Sequence, residues 1–142
     1  MTVAAILANF TGDIVTAGPD MPVRDAVSLL AQRKIGAVPV MKNDLVAGIM
    51  SERDVIYCLA RDGASILDWP VSKIMTAPAI TVEPDTTALS ALSLMTSRRI
   101  RHLPVVEGKK LIGIVSIGDL VKYRLDKIEQ EAAQMLNYIQ SV

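Results

Sequence analysis

The sequence predicts an α/β fold of the α+β kind, in which two pseudo-symmetric β-α-β-β-α units are followed by a long C-terminal helix. Three observations predict it. Residues 14–55 slide onto residues 79–120 without a gap, and 14 of the 42 aligned positions are identical. Within each copy, apolar residues recur first at helical spacing and then as continuous runs of the kind that fill buried strands. Beyond the second copy, an apolar stripe continues at heptad spacing to the end of the chain.

The elements follow in order. The opening MTVAAILANF reads as a short helix with Val3, Ile6 and Leu7 on one face. It lacks the basic flank and small-residue cleavage site of a secretory signal. Each copy then begins with a short apolar strand, Ile14 to Thr16 or Ile80 to Val82. A Pro-Asp pair marks a turn (Pro19-Asp20; Pro84-Asp85). A helix follows, with Val23, Ala26, Val27 and Leu30 on one stripe, matched by Ala88, Ala91, Leu92 and Met95. Next comes IGAVPV or IRHLPV. A proline cannot donate to a ladder, which suits an edge or irregular strand. A polar turn (Lys42-Asn43-Asp44; Glu107-Gly108-Lys109) leads into LVAGIM or LIGIV, read as strands buried on both faces. A serine then opens the second helix of the unit.

Between the copies lies RDGASILDWPVSKIMTAP, punctuated by Gly63, Pro70 and Pro78, with VSKIM forming a helical turn. The chain divides into residues 1–68, the first repeat with its N-terminal helix, and residues 69–142, the second with the linker and the long last helix. On that helix Val121, Leu125, Ile128, Ala132, Met135 and Ile139 form a seam. It either folds back on its own body or pairs with a second chain, and a homodimer is expected.

Composition removes several function classes. Formal net charge is zero over 15 basic and 15 acidic residues, which argues against nucleic acid as the main partner. No run approaches the roughly 18 apolar residues of a membrane span. The single cysteine, Cys58, forms no intramolecular disulfide, and the cytoplasm is the expected location. His102 is the only histidine and has no ligand cluster around it in sequence, so no metal site is expected. A triad of Ser116, His102 and Asp119 has neither nucleophile elbow nor oxyanion loop, so the chain is not expected to be an enzyme. Cys58 reads as a packed side chain and Trp69 as the residue that docks the linker.

One heptapeptide occurs twice: GIMSERD at 48–54 and GIVSIGD at 113–119. Ser-x-x-acid before a helix is a capping box. The same geometry leaves free N–H groups at a helix N-terminus, suited to an anion. A short aspartate there can accept two hydrogen bonds from a cis-diol. The copies differ between Ser and Asp. Glu52-Arg53 offers a phosphate-matching fork beside a repelling charge, whereas Ile117-Gly118 offers an open backbone. They also differ before the proline, Gly36-Ala37 against Arg101-His102. Arg98 and Arg99 read as cations closing a helix.

The doubled unit, the hydrophobic-Pro-Val strand (Val38-Pro39-Val40; Leu103-Pro104-Val105), the doubled G-h-h-S-x-x-D and the inter-repeat VSKIMT together resemble a tandem pair of CBS domains. This is the Bateman module, here of the stand-alone bacterial type. The resemblance covers nearly the whole chain. It implies two repeats packed sheet to sheet about a pseudo-twofold axis, with two clefts that bind AMP, ADP, ATP, NAD(H) or S-adenosylmethionine. It also implies regulation of, and signalling to, a partner protein, for instance in energy sensing. No catalytic cofactor is implied. By this resemblance Asp54 and Asp119 hold ribose hydroxyls, and Ser51 and Ser116 lie near phosphate. Ile14-Val15 and Ala79-Ile80 flank adenine. From the residues themselves, Arg53 is expected to meet phosphate, Gly118 to let a ligand approach the backbone, and Arg101 and His102 to sit near phosphates if the clefts are shared between repeats; Ile117, Ala37, Val38 and Leu103 are further expected binding residues. The alternative is a ligand-free structural or interaction dimer.

Overall fold

Apolar stripes and prolines set the order of elements in the computed structural model, which describes residues 2–10 and 12–141. The chain forms α1 (Val3–Leu7), α2 (Val23–Arg33), β1 (Ala37–Lys42), β2 (Leu45–Ser51) and α3 (Glu52–Asp62). After 3-10 turns at Gly63–Asp68 and Val71–Lys73 come α4 (Ala88–Arg98), β3 (His102–Glu107), β4 (Lys110–Ser116) and α5 (Ile117–Gln140). Each repeat holds one antiparallel hairpin, with Ala37 opposite Ser51 in the first and His102 opposite Ser116 in the second. The hairpin turns place Asn43-Asp44 and Gly108-Lys109 at positive φ, the twist that tight hairpins require.

The expected first strand of each unit shrinks to a single bridge, Ala17 to Val40 and Val82 to Val105, both parallel. Ala17 donates to the Pro39 carbonyl and accepts from Met41. The next rung of that ladder would need an N–H on Pro39, which proline lacks. Pro104 stops the second ladder in the same way, beside the Val82 to Pro104 bond. The sequence treats these residues as strands because they are apolar; the proline opposite decides otherwise.

Two cores result. Val23, Ala26 and Leu30 of α2 pack on Val38, Val40 and Met50 with Cys58 of α3. Ala91 and Met95 of α4 pack on Leu103, Val105 and Val115 with Leu120 of α5. Strands β2 and β4 are sealed on one face only, at Met50 and Val115. Their other faces are half-buried, so the expectation of burial on both sides fails there.

The lead-in segments cross over. Val3 and Ile6 of α1, which the sequence groups with the first repeat, are buried in the second core. Val71 and Ile74, grouped with the second repeat, are buried in the first. The backbone repeats the exchange: Val3 N–H donates to Thr86 and Ala4 to Pro84, while Val71 donates to Met21 and Ser72 to Pro19. Gly48 and Gly113 make room for these arms. A Cβ on Gly48 would lie 2.7 Å from the Thr76 carbonyl oxygen, and one on Gly113 would lie 2.7 Å from Leu7 Cδ2. Trp69 packs against the first core beneath Lys73, whose Nζ stands 3.7 Å from the ring centre.

Helix α5 runs on past its own repeat. Its seam does not fold back on the chain: Leu125 is 55% exposed, Ile128 45%, Met135 60% and Ile139 62%.

Candidate functional site

The serine that ends each hairpin has extended backbone and caps the helix after it. Ser51 Oγ accepts from the Asp54 N–H at 3.2 Å, and Asp54 Oδ2 accepts from the Ser51 N–H at 2.9 Å. Ser116 and Asp119 repeat this at 3.1 and 2.8 Å. Both capping boxes are complete. Each satisfies two backbone donors and fixes its carboxylate at a helix N-terminus.

Asp54 makes two further contacts. Asp54 Oδ1 accepts from Thr76 Oγ1 at 3.1 Å, and Ser51 Oγ lies 3.1 Å from Asp54 Oδ2. Among the described residues, Asp119 Oδ1 has no hydrogen-bond partner.

Each aspartate faces a cleft shared between the repeats. The cleft at Asp119 has a volume of about 470 Å³ and brings Ser116 and Asp119 of the second repeat against Ile14, Val15 and Ala37 of the first. The cleft at Asp54 has about 380 Å³ and brings Ser51, Arg53 and Asp54 against Ile80 and Arg101. The half-buried faces of β2 and β4 form the walls, with Ile49 in one cleft and Ile112 and Ile114 in the other. A third groove of about 680 Å³ runs between them along Glu52, Arg101, Ile117 and Gly118. Gly36 and His102 line all three spaces.

Not every expected residue reaches a cleft. Val38 and Leu103 are fully buried, each pointing from its hairpin into its core, so neither side chain offers surface to a ligand. Ala79 lines none of the three spaces, whereas Ile80 does. Ile117 and Gly118 face the middle groove rather than the cleft at Asp119. Cleft residues that the sequence reading passed over include Thr76, Tyr57 and Arg99 at Asp54, and Phe10, Asp13 and Lys34 at Asp119. Arg99 closes α4 in the left-handed conformation (φ 55°), as a helix cation does, and also lines the cleft. Lys34 does the same for α2.

The centre is asymmetric. A Cβ on Gly36 would stand 3.0 Å from His102 Cε1 and Nε2, so the imidazole occupies a notch that only glycine leaves open. Burial pulls the His102 pKa below the ordinary imidazole value; Glu52 and Asp119 oppose this, and Arg101 adds to it. Arg53 Nη1 donates to the Arg99 carbonyl at 3.2 Å, which holds its guanidinium beside Arg99 and Arg101. Among the described residues there is no cluster of His, Cys, Asp or Glu able to hold a metal. No described helix is long and apolar enough to cross a membrane.

Comparison with known proteins agrees with this geometry. A family model described as CBS domain matches residues 3–61 and 71–126. The CBS domain-containing protein CBSX3, mitochondrial, of Arabidopsis thaliana is 40% identical over 126 residues, 85% of this chain. The chain spans 61% of the length of that relative. The crystal structure of the CBS-domain containing protein ATU1752 from Agrobacterium tumefaciens superposes with a TM-score of 0.82 at 40% identity, over 87% of this chain and 92% of that one. A structure of CBSX2 in complex with AMP superposes with a TM-score of 0.73 at 27% identity, over 88% of this chain and 96% of that one.

Proposed function

The chain belongs to the CBS-domain family, and on that premise we propose that it is a non-catalytic regulatory module of the cytoplasm. It binds adenosine ligands (AMP, ADP or ATP, with NAD(H) and S-adenosylmethionine as further members of the class) between its two repeats. One observation carries the reading: each cleft sets a capped aspartate from one repeat against the lead-in segment of the other. A ligand that accepts both partners is held across the pseudo-twofold axis. The carboxylate suits a ribose diol, and the apolar segment, Ile14-Val15 or Ile80, suits a flat base. In the first turns of α3 and α5 the bonds to Gly36, Arg101 and the capping serines leave the N–H groups of Arg53 and Gly118, which suit a phosphate oxygen. The AMP found with CBSX2 supports the same class of ligand.

Occupancy acts by population shift. A ligand that contacts both repeats favours the relative orientation in which it fits best, by its difference in affinity for the two states. The α5 seam, uncovered on one chain, supports a homodimer, and the dimer transmits the change to a partner protein. That exposed seam equally favours a dimer module with empty clefts.

Thermal unfolding in the presence of AMP, ATP, NADH and S-adenosylmethionine separates the two. A ligand at a hundred times its dissociation constant stabilises by about 2.7 kcal/mol. A raised Tm with at least one of them supports the sensor. An unchanged Tm with all four at millimolar concentration leaves the dimer module.

A further inference from the structure

The two clefts share one plan but not one charge. At Asp54, three arginines line the cleft: Arg53, Arg99 and Arg101. The repeat places Gly118, Lys34 and Gly36 at the corresponding positions of the other copy. The cleft at Asp119 thus holds a single ammonium, that of Lys34, and gains a second carboxylate, Asp13. The neutral form of His102 is favoured by its burial, so the shared imidazole does not even out the difference. Glu52 is the one acid beyond Asp54 on the basic side, and it also turns toward the Gly36 notch, 3.5 Å from the Cβ position there.

Asp54 already takes a hydroxyl on Oδ1 and a second hydroxyl contact on Oδ2. The Asp119 cleft is the larger of the two, with room for more than a sugar. Phe10, at the edge of that cleft, is 46% exposed. One cleft thus gathers cations and the other carboxylates.

We propose that the clefts sort adenosine ligands by the charge of the 5′ tail. The Asp54 cleft takes phosphate-bearing nucleotides. The Asp119 cleft takes nucleosides whose tail is neutral or cationic. This rests on the adenosine reading and deepens it. Guanidinium forks match phosphate oxygens in pairs, whereas two carboxylates beside one ammonium repel them. A neutral or cationic tail meets no such penalty.

Calorimetry on the full chain tests the sorting with ATP and 5′-deoxy-5′-methylthioadenosine as probes. Arg99→Gln with Arg101→Gln is expected to weaken ATP about tenfold or more and to leave the neutral nucleoside unchanged. Asp119→Asn, which keeps the shape and a capping oxygen, is expected to do the reverse. ATP affinity falls with added salt while nucleoside affinity holds, because only the first is a charged encounter. Saturating nucleoside leaves one equivalent of ATP site intact. Loss of both probes by the same substitution, or competition between them for one cleft, overturns the sorting alone. A wild-type chain that binds neither probe at millimolar concentration overturns the adenosine reading and the sorting with it.

Discussion

Two glycines at one place in the repeat face unequal neighbours. A methyl on Gly48 meets backbone, the Thr76 oxygen at 2.7 Å, and Met75 Sδ at 2.8 Å. A methyl on Gly113 meets only the branched end of Leu7, which can turn aside. Gly48→Ala is therefore expected to cost about 1–3 kcal/mol in urea unfolding, and Gly113→Ala clearly less. The reverse order would contradict the arm packing. The sequence shows that glycine recurs, but the reason lies in Thr76 and Leu7, far away along the chain. His102 yields a second test. Its folded pKa is depressed, so the stability tied to its neutral form is complete above the unfolded value near 6.5 and is lost as pH falls from there through the lower folded value. Wild type is expected to lose more Tm than His102→Asn between about pH 7.5 and 5.5. Glu52 and Asp119, which draw the proton back, and Arg101, which repels it, remain in both proteins. An equal loss in the two would show that His102 carries no part of the acid sensitivity.

Elements were read from the sequence with uneven success, and the physics of each explains why. Helices α2, α4 and α5 show in their stripes because burial on one face imposes the period. The capping boxes show because serine and acid must stand three apart. The lead-in strands did not, since apolar content suggests pairing while only the facing Pro39 and Pro104 reveal that a donor is missing. The clefts were legible as paired motifs. Their charge difference was half visible in Arg53 against Gly118, but Thr76 and Asp13 enter only through folding. The α5 seam belongs to this scale as well. Leu125→Lys with Ile128→Glu is expected to leave the fold intact and turn a dimer into a monomer by light scattering. Its side chains are exposed on one chain, so the charges cost little there. A double variant that stays dimeric would move the interface elsewhere.

At the scale of the molecule, the crossed arms bind the repeats together. Removing residues 2–10 takes Val3 and Ile6 out of the second core, not the first. Hydrogen exchange is expected to quicken in β3 and β4 while β1 and β2 stay protected. The opposite pattern would mean that α1 serves its own repeat. The exchange of arms also constrains where such a chain can come from. A single unit, set free from its twin, has no arm of its own to fill the groove beside its hairpin glycine. It can complete its core only by lending its arm to another copy and borrowing one back. The fused chain thus carries out within one polypeptide what a half-length forebear must do between two: gene doubling would turn a reciprocal loan between subunits into a permanent one. Once joined, the halves were free to stop being alike, and the arginines gathered on one side only are what that freedom permits.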